Sequence, residues 1–178
     1  MQFRNIIGVI ILICLIGLSF FLPFQKAFVF TETRTKEHVL FYIPTTQESK
    51  FEIMYTHSIH KSNVLESYSI TRTNKIKFIS MEYEDLAIGM PGYAEEGQKF
   101  EEKEGIYKLS YDDEIIDSFT LLVANIDMDL IFRYEYKDYD LKNILERSKS
   151  YKFEVKNISV YEQWKGVKMN DREKNKGR

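Results

Sequence analysis

Two short alternating segments hold the residues best suited to chemistry in this chain: Phe51-Glu-Ile-Met-Tyr-Thr-His-Ser58 and Val64-Leu-Glu-Ser-Tyr-Ser-Ile70. Side chains along a strand alternate between faces, so Phe51, Ile53, Tyr55 and His57 share one stripe, and Val64, Glu66, Tyr68 and Ile70 share another. Each stripe carries one titratable residue into apolar company, where a lone charge is costly. The pattern predicts a hairpin with Tyr55 or His57 opposite Glu66. In either register the imidazole and the carboxylate meet, because diagonal neighbours lie about 7–8 Å apart. Such a pair either faces a ligand or reacting group, or serves as a polar lock that fixes strand register. Ser58 beside His57 resembles a nucleophile and base, yet adjacent strand residues point to opposite faces, and no Gly-x-Ser-x-Gly elbow occurs. No catalytic residue is therefore assigned. His57, His60 and Glu66 offer three metal-ligand types without a metal-site spacing, so no metal or other cofactor is expected.

The elements that must position this hairpin are mostly strands. His38–Ile43, Lys75–Tyr83, Asp127–Tyr136 and the Tyr151, Phe153, Val155 alternation read as strands, with a parity shift near Asn157 that predicts a bulge. Phe119–Ala124 is continuously apolar and reads as a central strand. Asp140 is placed to cap one short helix near residues 140–148. The expected fold is all-β, a β-sandwich or open barrel, behind an N-terminal transmembrane helix. Residues 84–104 form a long glycine- and glutamate-rich connection, and long connections in compact domains are often functional. Within it Gly89 and Pro91 join Tyr55, His57, Ser58 and Glu66 as candidate site residues, and Met90, Tyr93 and Phe100 are candidate partner contacts. The carboxylates Glu95, Glu96, Glu101, Glu102 and Glu104 match no calcium-loop spacing.

Residues 6–24 are an uncharged apolar run; as one helix it would span about 28 Å, close to the roughly 30 Å hydrocarbon core of a bilayer. It is read as an anchor in preference to a cleaved signal, because Gln25-Lys-Ala27 lacks a small-x-small cleavage pattern. Three units are expected: an anchor or signal segment at 1–26, an extracytoplasmic β-domain at 27–168 and a disordered polar tail at 169–178. The chain has 25 basic and 27 acidic residues, and Arg4 and Lys26 are the only charges of the first segment. The remaining acidic excess excludes a nucleic-acid-binding face. Cys14 is the only cysteine, so the domain forms no internal disulfide.

Tyr55-Thr-His-Ser58, Glu66, Tyr68 and Ile88-Gly-Met-Pro91 together resemble a bacterial domain-of-unknown-function family typically encoded beside TAXI-type TRAP transporters. Asn63 stands where that family often has proline, and Ala87 where it usually has glycine. The resemblance implies a single-pass cell-membrane protein with its domain on the extracytoplasmic side. It further implies an accessory role, by protein or ligand binding, with a TRAP-type solute receptor or permease as partner. The competing readings are a hydrolase or metal-dependent enzyme on His57, Ser58 and Glu66, and a structural module of the cell envelope.

Overall fold

The computed structural model describes residues 2–35, 39–59, 61–84, 86 and 89–169. His38, His60, Ala87, Ile88 and residues 170–178, on which several of the expectations above fall, lie outside the described residues. In chain order the elements are α1 (Gln2–Ser19), β1 (Gln25–Glu32), β2 (Leu40–Pro44), β3 (Lys50–Thr56), β4 (Asn63–Ile70), β5 (Ile76–Tyr83), β6 (Gln98–Lys103), β7 (Ile106–Tyr111) and β8 (Ile115–Ile116). They continue with β9 (Ser118–Val123), β10 (Leu130–Tyr134), β11 (Lys137–Asp140), α2 (Leu141–Ile144), β12 (Lys149–Ile158), α3 (Val160–Lys165) and β13 (Val167–Lys168).

The strands form two sheets, so the chain is mostly β as its alternation predicts. The first has the order β13-β2-β1-β12-β9 and the second β11-β10-β3-β4-β5-β7-β6, with β8 also paired to β5. Their facing sides share one core. Phe28 of β1 packs with ring centroids 4.9 Å from Phe51 and 4.9 Å from Phe132, and Phe153 of β12 lies 5.5 Å from Phe51. Burying each such ring contributes about 1.5–3 kcal/mol, and edge-on contacts add to that.

Strand β1 is buried on both faces. Phe28 and Phe30 enter the shared core, whereas Ala27 and Val29 join Tyr42 and Ile158 in a small second core on the other side of the sheet. Ile158 therefore explains the parity shift near Asn157 without a bulge. The β1–β12 register runs unbroken from Gln25↔Ile158 to Glu32↔Tyr151, and the apolar stripe simply changes face at its end. The expectation for Phe119–Ala124 also needs correction. β9 is the edge of the first sheet, and Leu122 is 60% exposed; its apolar run faces the core on one side and solvent on the other.

Two further corrections concern strand ends. Tyr136 does not continue the inward stripe of β10, because Glu135 and Tyr136 both have positive φ and make the two-residue turn between Tyr134 and Lys137. The long connection expected over 84–104 stops at Gly97, since Gln98–Lys103 is strand β6 and Glu104-Gly105 is its hairpin turn. Asp140 does cap α2, its carboxylate accepting from the backbone N–H groups of Lys142 and Asn143, but the helix is a single turn.

Among the described residues no helix is long and apolar enough to cross a membrane. The helix ends at Ser19, where Phe21 and Leu22 turn back to Leu18 and Ser19. The helical part of the apolar run, 6–19, thus covers only about 21 Å. The exit is pinned: Phe24 N–H donates to Ile158 O at 3.2 Å, and Phe21 packs 5.1 Å from Tyr161. Gln25 and Lys26 already belong to β1, and Met169 is fully buried.

Candidate functional site

Strands β3 and β4 pair in a register that neither sequence alternative contains. Glu66 lies opposite Ile53, and Tyr55 opposite Val64. Both apolar stripes still face inward, but His57 falls past the end of β3, in the turn. Its N–H donates to Ser62 O at 2.9 Å, and its carbonyl accepts from Lys61 N–H. Glu66 is four residues further along β4 from Ser62, about 13 Å away. The expected His57–Glu66 pair is therefore not formed. The turn begins two residues earlier than the alternation implies, after Thr56, and Lys61 closes it with φ 56°.

Glu66 is instead held by tyrosines. Tyr55, diagonal to it on β3, donates its hydroxyl to Oε1 at 3.1 Å, and Tyr68, two residues on along the same face, donates to Oε2 at 2.7 Å. Burial pushes the Glu66 carboxyl above its ordinary value, against the opposing pull of the Tyr68 and Tyr55 hydrogen bonds. Burial, followed by the neighbouring Glu66 carboxylate, raises both phenols in turn.

A ladder of stacked rings crosses the same face. Phe51, Tyr68, Phe78 and Tyr111, from β3, β4, β5 and β7, stack at 5.1, 4.8 and 4.2 Å with interplanar angles of 10°, 14° and 17°. A bulge makes this ladder. The β4–β5 register slips between Ser67 and Tyr68, which brings Phe78 opposite Tyr68 while Met81 stays opposite Glu66. Without the slip Tyr68 would meet Ile79 and the stack would end. The sequence carries the signal, since the apolar parity of Ile76 and Phe78 switches to that of Met81 and Tyr83.

Where this face meets edge strand β9, the two sheets leave an open cleft of about 460 Å³. Glu66, Tyr55, Tyr68, Phe78, Phe119 and Leu121 line it, with Asp129 and Lys142 also among its lining residues. An adjoining polar groove of about 530 Å³ shares Thr56, Met128, Asp129 and Lys142 with it. Tyr111 is pushed up to about 12, by burial first and then by Glu114 and Glu66.

The sequence profile of a domain of unknown function, DUF1850, matches residues 51–141, just over half of the chain. The chain belongs to this family. No curated protein and no solved structure matches it. The DUF1850 segment comprises β3 to β11, which is the whole second sheet together with β9. Glu66, both tyrosines, Phe78 and Phe119 fall inside it, and Lys142 lies one residue beyond. The strands that close the core from the other side, β1, β2 and β12, lie outside the DUF1850 match.

The remaining sequence candidates are dispersed. Ser58 is exposed in the turn after β3, and Glu66 lies far along β4, so the constellation required by the hydrolase reading is not assembled. Among the described residues no group of three His, Cys, Asp or Glu is placed to hold a metal. Gly89, Met90, Pro91, Gly92 and Tyr93 border a separate hollow with Leu109 and Tyr111, and Pro91 O accepts a hydrogen bond from the Tyr83 hydroxyl. Tyr93 is 71% exposed there. Phe100 belongs to β6 and stacks on Tyr107 at 5.9 Å, and it is not among the described residues that border the hollow. The cleft residues that sequence reasoning missed, Phe78, Phe119, Leu121 and Lys142, come from elements distant in sequence, and only the strand order brings them together.

Proposed function

We propose that this protein is a membrane-held, extracytoplasmic accessory of a TRAP-type (TAXI) solute uptake system, and that it works by binding, with Glu66, Tyr55 and Tyr68 at its ligand-holding centre. One observation carries the binding half of this reading: an open, mostly apolar cleft, with Phe78 and Phe119 in its wall, holds a carboxylate on two phenol donors. No His, Ser or Cys occurs among the described residues that line it. Concave, mostly apolar sites with a few convergent polar groups are the usual form of small-molecule sites. Membrane attachment is supported by residues 6–24, whose apolar side chains are all exposed on the described protein, a surface that water solvates poorly. The transporter context rests on the resemblance of Tyr55-Thr-His-Ser58, Glu66, Tyr68 and Gly89-Met-Pro91 to the family encoded beside such systems.

Cross-linking in native membranes followed by purification should recover a TRAP receptor or permease, and deletion of this protein should reduce uptake of that system's solute. Normal uptake in the deletion strain, with neither component recovered, rejects the accessory role. External protease on intact cells or protoplasts should digest the β-domain while cytoplasmic proteins survive. Met90→Ala with Tyr93→Ala should weaken recovery of the partner without lowering thermal stability, because Tyr93 is exposed and its loop is peripheral to the core.

A further inference from the structure

Glu66 is an unbalanced charge. Both of its oxygens accept hydrogen bonds from phenols, which identifies the group as an acceptor, yet among the described residues no lysine, arginine or histidine nitrogen pairs with it. The other charged residues that line the cleft do not compensate it. Glu114 and Asp129 add two carboxylates, and among the described lining residues Lys142 is the single cation, with its ammonium donating to Ile126 O at 2.7 Å. Among its described lining residues the adjoining groove is balanced, Lys61, Lys142 and Arg147 standing against Asp127, Asp129 and Asp140, and these supply no positive excess either.

The aromatic lining supplies the second feature of the cleft. Tyr68, Phe78 and Phe119 form a stacked group beside the carboxylate, with Tyr68 centroids 4.8 and 5.7 Å from the other two. The faces of Tyr68 and Phe78 are turned to each other and to Phe51 and Tyr111, so what this group offers a ligand is an apolar wall for a hydrocarbon part. An anionic ligand here meets three carboxylates. A neutral one deepens the burial of Glu66 without giving it a partner, and an unpaired buried charge is strongly unfavourable. A ligand carrying one positive charge and an apolar stem satisfies both features.

We propose that this cleft binds a small organic cation of the alkyl- or aryl-ammonium class, its charged nitrogen on Glu66 and its apolar stem along Tyr68, Phe78 and Phe119. The inference rests on the ligand-binding half of the function proposed above and is independent of the transporter partner.

The test uses the full chain in zwitterionic lipid nanodiscs, titrated calorimetrically at neutral pH with hexylammonium, hexanol and hexanoate, with empty nanodiscs as the blank. Hexylammonium should bind saturably, one per chain, and about tenfold or more tighter than hexanol, a difference of about 1.4 kcal/mol; hexanoate should bind worst. Glu66→Gln should erase the preference for ammonium over alcohol. Should that variant fail to fold, the ranking of the three probes on the wild-type protein decides the matter alone. Hexanoate binding as tightly as hexylammonium, an unchanged ranking in folded Glu66→Gln, or no saturable hexylammonium binding would overturn the proposal. An uptake defect on deletion without any ammonium preference sinks this inference and leaves the transporter role standing. Ammonium preference without a TRAP partner does the reverse.

Discussion

Burial holds the Glu66 carboxyl above its ordinary value of 4.5, and the hydroxyls of Tyr68 and Tyr55 only partly offset the shift. Between that ordinary value and the raised one, the folded state binds more protons than the unfolded state. Stability then falls as pH rises through the window and levels off above it. Glu66→Gln has no such group, so denaturant unfolding from acid to neutral pH should show the wild type losing stability relative to the variant. A pH-independent difference would show that Glu66 is solvated. Tyr134 behaves in the opposite way, as a purely structural hydroxyl. It donates to Glu48 O and accepts from Thr46 N–H, both at 3.0 Å, and is almost fully buried. Tyr134→Phe should cost about 1–3 kcal/mol in urea unfolding, because two backbone groups lose their partner. At this scale the sequence revealed which residues were out of place, His57 and Glu66 in apolar stripes, but not their partners. Nothing local marks Thr56 as the last residue of β3, and a shift of two residues in register leaves every stripe facing the same way.

Turns and caps show most clearly where local preference and fold disagree. The β10–β11 hairpin uses Glu135-Tyr136 with φ 51° and 59°, a conformation that ordinarily falls to Asn-Gly. Tyr136 is fully exposed, so its side chain gains nothing that offsets the strain. Tyr136→Gly should raise stability by about 1 kcal/mol, read as a higher midpoint in thermal or urea unfolding. Gly166 is the converse case. A Cβ there would lie 2.8 Å from Glu162 O and 2.9 Å from Leu40 O, both backbone atoms that cannot rotate away. Gly166→Ala should cost about 1–3 kcal/mol, whereas Gly92→Ala, with open space around it, should be silent. Helix α3 has a local signal in the sequence: Ser159-Val-Tyr-Glu162 is a reciprocal capping box, with Ser159 N–H donating to Glu162 at 2.8 Å and Glu162 N–H to the Ser159 hydroxyl at 3.2 Å. Strand β1 was hidden for a different reason. Ala27-Phe-Val-Phe30 is buried on both faces, so it has no alternation and reads as the tail of the apolar run before it.

For the molecule as a whole, fold class was legible because alternation recurs along most of the chain, while strand order was not, since pairing is decided by residues far apart. The cleft is a product of that order: it exists because the second sheet extends past β9, the edge of the first. The DUF1850 segment alone, residues 51–141, lacks Phe28, Phe30 and Phe153, the rings that cover Phe51 and Phe132. Expressed by itself, it should show no cooperative thermal unfolding transition, whereas the whole chain should unfold in one. A cooperative transition in the isolated segment would show that the second sheet folds without its cover. The pairing of Gln25 with Ile158 has a consequence in time. Of the described strands β1 leaves the ribosome first and its partner β12 is the last long one, so β1 waits with one edge unpaired until β12 is made. Loop closure over such a separation is slow compared with forming the β3–β4 hairpin. Maturation should therefore run from a preformed second sheet to late capture of β12 by β1. Pulse-labelling hydrogen exchange would see it as β3–β4 amides protected well before those of β12.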